Sequence, residues 1–139
     1  MKGLSTLIKL QKTRVDEQRV ILARLQDVLD QVNKAISDLE AQKIREQQAA
    51  KKNPEEAVTY GAFVKRALKR GQQLGRDRQA AEAAVLAARD KLAELFEEQK
   101  RYEIAASNRD AAQRKEIAQR ERIELDEIGG VSHERRKAK

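Results

Sequence analysis

The sequence predicts an all-α protein, an antiparallel two-helix coiled-coil hairpin in which the second helix is longer than the first and overhangs it. Three observations predict this fold. Charged residues make up 38% and aromatic residues 3% of the 139 residues, with a single proline, which is typical of long helices. Apolar residues recur at alternating spacings of about three and four residues, the period of a coiled coil. This recurrence is broken once, at Asn53 and Pro54.

The break carries the residues of a helix start. Asn53 is a preferred N-cap, and Pro54 loses nothing at the first helical position because its missing N–H would be unpaired there. Glu56 stands where a capping box places an acid. We therefore predict one elongated domain with a helix over residues 3–51, a turn at 52–53 and a second helix over 54–128.

Each arm carries a continuous apolar seam. On the first arm the seam is built of large aliphatic residues and two glutamines, at Leu4, Ile8, Gln11, Val15, Gln18, Leu22, Leu25, Leu29, Val32, Ile36 and Leu39. On the second arm the seam residues are smaller, at Tyr60, Val64, Ala67, Gly71, Leu74, Arg78, Ala81, Val85, Ala88, Leu92, Leu95, Gln99, Tyr102 and Ala106. A reversal at the break makes facing residue numbers add to roughly 106, which sets large residues against small ones. This match favours an intramolecular hairpin over a parallel dimer of one very long helix.

Glycines mark two further places in the second arm. Gly61, Gly71 and Gly75 interrupt the helical pattern, each about 1 kcal/mol less favourable than alanine, and we expect a close approach of the two helices there. The alternative is a soft region that adapts to a partner. Gly129 and Gly130 form a predicted helix stop, followed by a disordered basic tail over residues 129–139.

The overhang has no partner in the chain. Residues 107–128 extend beyond the length that the first arm can cover, so we expect them to project or to meet another molecule. A thin apolar stripe continues there at Ile104, Ala111, Ala118 and Leu125. Whether this segment is helical without a partner, and whether the chain is monomeric, both remain open at this point.

Several classes of function are excluded by residue content. Absence of cysteine removes disulfides and thiolate metal sites, and no apolar run approaches the ~18 residues of a membrane span, so we expect a cytoplasmic protein. A two-helix hairpin offers no protected pocket, and the single histidine, His133, falls in the predicted tail. We therefore expect no enzyme, no cofactor and no metal.

The basic residues are unevenly distributed. The net charge is +7, and Lys and Arg concentrate in residues 1–24 and in residues 65–78. A nucleic-acid-binding hairpin is the weaker alternative function, because charges elsewhere are interleaved and aromatic residues for base stacking are few. Its contact patch would be Lys65, Arg66, Lys69, Arg70, Arg76 and Arg78.

Two aromatic residues lie directly after the break. Tyr60 and Phe63, followed by Val64, stand at helical spacing and account for half of the four aromatic residues in the chain. Aromatic anchors near a helix end are what a partner's pocket grips. The alternative is that they only staple the turn.

Three short segments carry a resemblance to a known family: the opening Lys-Gly-Leu-Ser-Thr-Leu-Ile-Lys-Leu, Tyr60-x-x-Phe63 running into Val64 and Leu68, and the Glu-Leu-Asp-Glu-Ile of residues 124–128. Through these segments the chain resembles the FliJ family of flagellar type III export. The resemblance extends over roughly residues 3–128. It implies an antiparallel two-helix coiled coil similar to the stalk of rotary ATPases, which associates with the hexameric export ATPase and the export gate. Family members have also been viewed as escorts of export chaperones.

The resemblance also implies two contact regions and a location. The gate-contacting residues would be Tyr60, Phe63, Ala67 and Leu74, with Ile44 and Gln47 on the other arm. The ATPase-contacting end is assigned from position and charge alone, to Lys9, Lys12, Arg14, Arg109, Arg114 and Arg120. The protein would then be cytoplasmic and peripheral at the inner membrane through the export apparatus. The virulence-system counterpart has the same shape, and a generic structural coiled-coil adaptor is the other alternative.

Overall fold

The computed structural model describes residues 2–137, and the side chains of residues 3–131. Two helices account for this part of the chain, α1 (Lys2–Lys52) and α2 (Pro54–Lys137), and no strand occurs in it. The two long helices pack together as a helical hairpin, which confirms the predicted fold class. The chain divides into two units, Thr13–Leu95 and Met1–Lys12 with Phe96–Lys139. We call them the turn unit and the end unit.

A single residue, Asn53, separates the two helices. Its N–H donates to the carbonyl of Ala49 (3.1 Å), which closes the last turn of α1. Its side-chain Oδ1 accepts from the N–H of Glu55 (3.1 Å), and its carbonyl accepts from the N–H of Glu56 (3.1 Å). Because the first N–H groups of a helix have no partner inside it, these bonds satisfy donors that α2 would otherwise leave open.

The seam of the turn unit is an asymmetric pairing of large and small residues. On α2 the seam side chains are buried, at Ala67, Leu74, Ala81, Val85, Ala88 and Leu95. On α1 the aliphatic residues from Leu22 to Leu39 are half-buried, and only Val15 is buried among the apolar seam residues. A small side chain such as that of alanine is covered by one facing helix, and Leu74 and Leu95 of α2 are covered as well. All eleven seam residues predicted on α1 are at least half-buried.

Contacts between the arms give the register. In the turn unit, Gln18 Nε2 donates to the carbonyl of Ala88 (3.1 Å), a pair whose numbers add to 106. In the end unit, Gln11 Nε2 donates to Glu98 Oε2 (3.1 Å), a pair adding to 109. These values lie close to the predicted sum. Gln11 is only 1% exposed, so its amide depends on such partners inside the seam.

Two predicted seam residues of α2 do not enter the seam. Val64 and Arg78 are exposed, while their neighbours Phe63 and Asp77 are half-buried. A strict seven-residue repeat drifts by about 20° per heptad on an ideal α-helix, so a neighbouring position takes over the seam. The heptad repeat therefore predicts the apolar stripe of α2 correctly. At these two positions, however, the side chain that enters the seam is the one directly before the predicted residue.

The expected close approach at the three glycines is not what the structure shows. A Cβ atom built on Gly61 or Gly75 meets nothing within 4 Å, and one on Gly71 meets Leu39 Cδ2 at 3.7 Å, an ordinary contact. The helices have room for alanine at all three positions. The soft-region alternative stays a hypothesis.

The end of α2 also differs from the prediction. The helix does not stop at Gly129 and Gly130 but continues to Lys137, nine residues beyond the expected end at 128. Neither glycine has a positive φ, so the left-handed cap that would end a helix is not formed. A glycine pair permits such a cap without forcing it, and no proline follows. Residues 138 and 139 of the predicted tail lie outside the described residues, as does the side chain of His133.

Replacing the cap tests the turn. We expect Asn53→Ala to lower the free energy of unfolding by about 1 kcal/mol, because the N–H of Glu55 loses its acceptor in the non-helical cap position. Asn53→Asp keeps an oxygen acceptor and should retain most of the stability. Denaturant unfolding followed by circular dichroism measures both variants, and equal stability of Asn53→Ala and the natural chain would contradict the role of the cap.

Replacing a glycine tests whether the space beside α2 accepts a methyl group. We expect Gly75→Ala to raise the free energy of unfolding by up to about 1 kcal/mol, since alanine is the better helix former and its methyl group meets no atom within 4 Å. Thermal unfolding reports the change. A lower melting temperature would mean that the helices approach more closely at Gly75 than the structure has them.

Candidate functional site

The candidate sites of this protein are grooves along the two helices. Within the described residues there is no group of three or more His, Cys, Asp or Glu that could hold a metal ion. None of the helices there combines the length and the hydrophobicity needed to cross a membrane.

The turn unit contains an apolar groove that we call the turn-side groove. It has a volume of about 380 Å³ and lies between α1 and α2 on the side of the turn. Its lining residues are Glu40, Lys43, Ile44 and Gln47 of α1 and Tyr60, Phe63, Val64, Ala67 and Leu68 of α2. A groove of this size, with an aromatic wall, can accept one or two apolar side chains of a partner.

The aromatic wall is formed locally within α2. Tyr60 and Phe63 stand three residues apart, so they neighbour each other on the helix surface. Their ring centroids are 6.2 Å apart with an interplanar angle of 28°, a stacked arrangement. Both side chains are half-buried, so each ring contacts the hairpin and still presents a face to the outside. The rings can therefore serve packing and recognition together.

Five of the six residues predicted on the gate side line this one groove. Ile44 and Gln47 come from α1, and Tyr60, Phe63 and Ala67 come from α2. The sixth, Leu74, does not: it is 3% exposed and belongs to the seam between the helices. A residue in that position supports the hairpin, and a partner cannot reach it while the helices are paired.

Sequence reasoning missed part of the groove as a binding surface. Leu68 is 60% exposed and lines it, and the ion pair between Lys43 and Glu40 (3.1 Å) forms part of its rim on α1. Leu68 stands one turn after Val64, so its helical spacing from the aromatic pair was the available signal. For the rim on α1 the available signal was the predicted register, because facing numbers that add to about 106 place Lys43 opposite Phe63.

The end unit contains a second groove, which we call the end-side groove. It has a volume of about 370 Å³, and its floor is apolar, with Leu4 and Ile8 of α1 and Ala106 of α2. The remaining lining residues are polar or charged: Ser5, Lys9, Lys12, Arg109 and Asp110. Three cations against one carboxylate give this rim a positive charge, which favours an anionic partner surface.

The residues predicted on the ATPase side are only partly brought together. Lys9, Lys12 and Arg109 line the end-side groove. Arg114 donates from Nε to the carbonyl of Asp110 (3.4 Å), and Arg120 pairs with Glu116 (2.7 Å), both within α2. Arg14 is exposed on the part of α1 that belongs to the turn unit.

The overhang of α2 is exposed on every face. Residues 111–131 are all exposed, including the large apolar side chains of Ile117, Ile123, Leu125 and Ile128. Ion pairs between helical neighbours, such as Arg120 with Glu116, contribute a few tenths of a kcal/mol each at such exposure. A helix of this kind presents both charge and apolar surface to its surroundings.

The fold and these grooves define a coiled-coil hairpin protein that offers its binding surfaces along the helices. The family described as Flagellar FliJ protein matches residues 1–138. The chain belongs to the FliJ family and is a coiled-coil protein related to flagellar protein export, which confirms the resemblance found in the sequence. Comparison with curated proteins finds no match, and neither does comparison with solved structures.

Proposed function

We propose that the protein is a non-enzymatic stalk and adaptor of the flagellar type III export apparatus. In this role it contacts the hexameric export ATPase through the end unit and the cytoplasmic part of the export gate through the turn unit. The match of residues 1–138 to the FliJ family carries the proposal, since the stalk and adaptor roles are those that the resemblance implies. The protein is then held at the inner membrane by the export apparatus.

Two features of the end unit support contact with a ring-shaped ATPase. The overhang, residues 111–131, is exposed on all faces, as a helix enclosed by the interior of a ring requires. The end-side groove adds a basic rim, where Lys9, Lys12 and Arg109 can meet acidic loops. Opposite charges across such an interface raise the association rate and orient the partners.

One feature of the turn unit supports contact with the gate. The turn-side groove combines stacked aromatic rings with exposed aliphatic side chains, including Leu68 at 60% exposure. Burying such surface against a partner is favourable by roughly 25 cal/mol per Å² of apolar area. In this proposal the turn-side groove also receives the export chaperones that the resemblance implies as partners. The gate and a chaperone then compete for the turn-side groove.

Charge reversal tests the ATPase contact. We expect the natural chain to raise ring assembly and ATP turnover of the export ATPase. The triple variant Lys9→Glu, Lys12→Glu, Arg109→Glu should weaken this effect by about tenfold in apparent affinity, because its rim repels acidic loops. Arg24→Glu, Lys34→Glu, Lys91→Glu carries the same change of charge on exposed positions of the turn unit and serves as the control.

The triple variants separate the possible outcomes. Equal loss in both would mean that only net charge matters and that the end-side groove is not the contact. No binding and no stimulation by the natural chain would remove the stalk proposal and leave a generic structural coiled coil as the function.

A matched pair of leucines tests the gate contact. Leu68 and Leu86 are both 60% exposed on α2, but only Leu68 lines the turn-side groove. We expect Leu68→Ser to weaken binding to the gate's cytoplasmic region by about tenfold, through lost apolar burial, and Leu86→Ser to leave it unchanged. Isothermal titration calorimetry measures both, and the loss of helix propensity is the same in each. Equal affinities would exclude this groove as the gate contact.

A further inference from the structure

A stretch of α2 beside the turn-side groove is unusually one-signed in charge. Between Glu56 and Asp77 there is no acidic residue, while Lys65, Arg66, Lys69 and Arg70 follow one another over less than two turns. All four are exposed. We call them the basic cluster, and they were singled out in the sequence only as a nucleic-acid alternative.

The basic cluster lacks the partners that cations have elsewhere on these helices. The ion pairs of the described residues join side chains three or four positions apart on one helix, for example Arg78 with Glu82 and Arg101 with Glu97. At those spacings from the basic cluster no Asp or Glu occurs. In the part of the chain whose side chains are described, none of the four makes an ion pair or side-chain hydrogen bond.

The basic cluster lowers the stability of the hairpin. Lys65 stands four residues before Lys69, and Arg66 four before Arg70, so like charges are neighbours on the helix surface. Like-charge pairs at this spacing destabilise a helix. Since none of these four side chains makes an ion pair within the described hairpin, carboxylates of a partner can offset the repulsion.

Apolar surface adjoins the basic cluster. A third groove of about 210 Å³ is lined by Leu39, Gln42, Phe63, Arg66, Ala67 and Arg70. Phe63 and Ala67 line this groove and the turn-side groove as well, so the two grooves flank one ridge of α2. Two guanidinium groups therefore stand directly beside an aromatic ring and an aliphatic floor.

This combination selects among anionic partners. A nucleic-acid backbone would use the cations, but it would leave the concave apolar floor unfilled. A membrane surface is too flat to enter a groove between two helices. An amphipathic protein segment with acidic residues on one flank and an apolar residue on the other uses both features.

We propose that the basic cluster and the ridge at Phe63 dock an acidic amphipathic segment of a protein partner. Its carboxylates pair with Lys65, Arg66, Lys69 and Arg70, and its apolar side chain packs on the half-buried ring of Phe63. This deepens the proposed function, on which it rests, because it assigns a chemistry to the partner segment bound at the turn side. Binding relieves the repulsion within the cluster, and charge steering makes the association depend on salt.

A defined peptide tests the proposal without relying on a known partner. The probe is a labelled helical peptide with Glu on one flank and Leu on the other, and its twin has Lys for every Glu. Anisotropy with the full chain should show binding of the acidic peptide that weakens with added salt. The variant Lys65→Gln, Arg66→Gln, Lys69→Gln, Arg70→Gln should weaken it by about tenfold or more.

A control of equal charge makes the result specific. Arg24→Gln, Lys34→Gln, Arg89→Gln, Lys91→Gln removes four exposed cations of the turn unit outside the three grooves. It should stay within about twofold of the natural chain. The melting temperature of the cluster variant should be unchanged or higher, since like-charge repulsion is removed. If that variant does not fold, Arg66→Gln, Arg70→Gln replaces it.

Other outcomes overturn the proposal. They are equal weakening in both variants, absence of binding of the acidic peptide, or a stronger dependence on the basic cluster for duplex DNA or phosphatidylglycerol vesicles than for the peptide. The gate's cytoplasmic region is titrated separately with the same variants. Gate binding that ignores the cluster, together with peptide binding that needs it, supports the acidic segment and argues against the gate as its source.

Discussion

The structure depends on burying small residues of α2 under large residues of α1 in a molecule where each helix has only one neighbour. Ala81 and Ala88 are buried by a single facing helix, whereas the facing leucines stay half-buried. A shift of the two arms would change which residues face Ala81 and Ala88 and would uncover these small side chains. The amide of Gln18 on the Ala88 carbonyl adds a directional contact to this register, since a displaced amide would lose its partner inside the seam.

Most of the fold followed from the sequence because a two-helix seam has few alternatives. The period of the apolar residues and one proline were enough to place both helices and the turn between them. Prediction failed where residues permit a structure without forcing it. The glycine pair at 129 and 130 allows a helix end, yet α2 runs on to Lys137. At Val64 and Arg78 the drift of the helix against the heptad decided which neighbour enters the seam.

The sequence predicted most of the residues of the candidate site, but not how deeply each side chain is buried. Aromatic residues beside a cap identified the turn-side groove, and five of the six predicted residues line it. Leu74 is buried in the seam and does not line the groove, because an apolar stripe along a helix does not reveal which of its side chains the other arm covers. The contribution of Lys43 and Glu40 required the register between arms. The functional assignment itself came from the family, since neither groove carries chemistry that would name its partner.

The one-residue link at Asn53 has a consequence for how the hairpin forms. Because facing residue numbers add to a nearly constant value, the separation along the chain grows by two with every step away from the turn. It reaches 70 residues for Gln18 with Ala88 and 87 for Gln11 with Glu98. The entropy of closing a loop rises with its length, so pairing beside the cap costs the least chain entropy. We infer that the two arms pair from Asn53 outward and that the seam residues farthest from Asn53, near Leu4 and Ala106, are the last to pair and the first to separate.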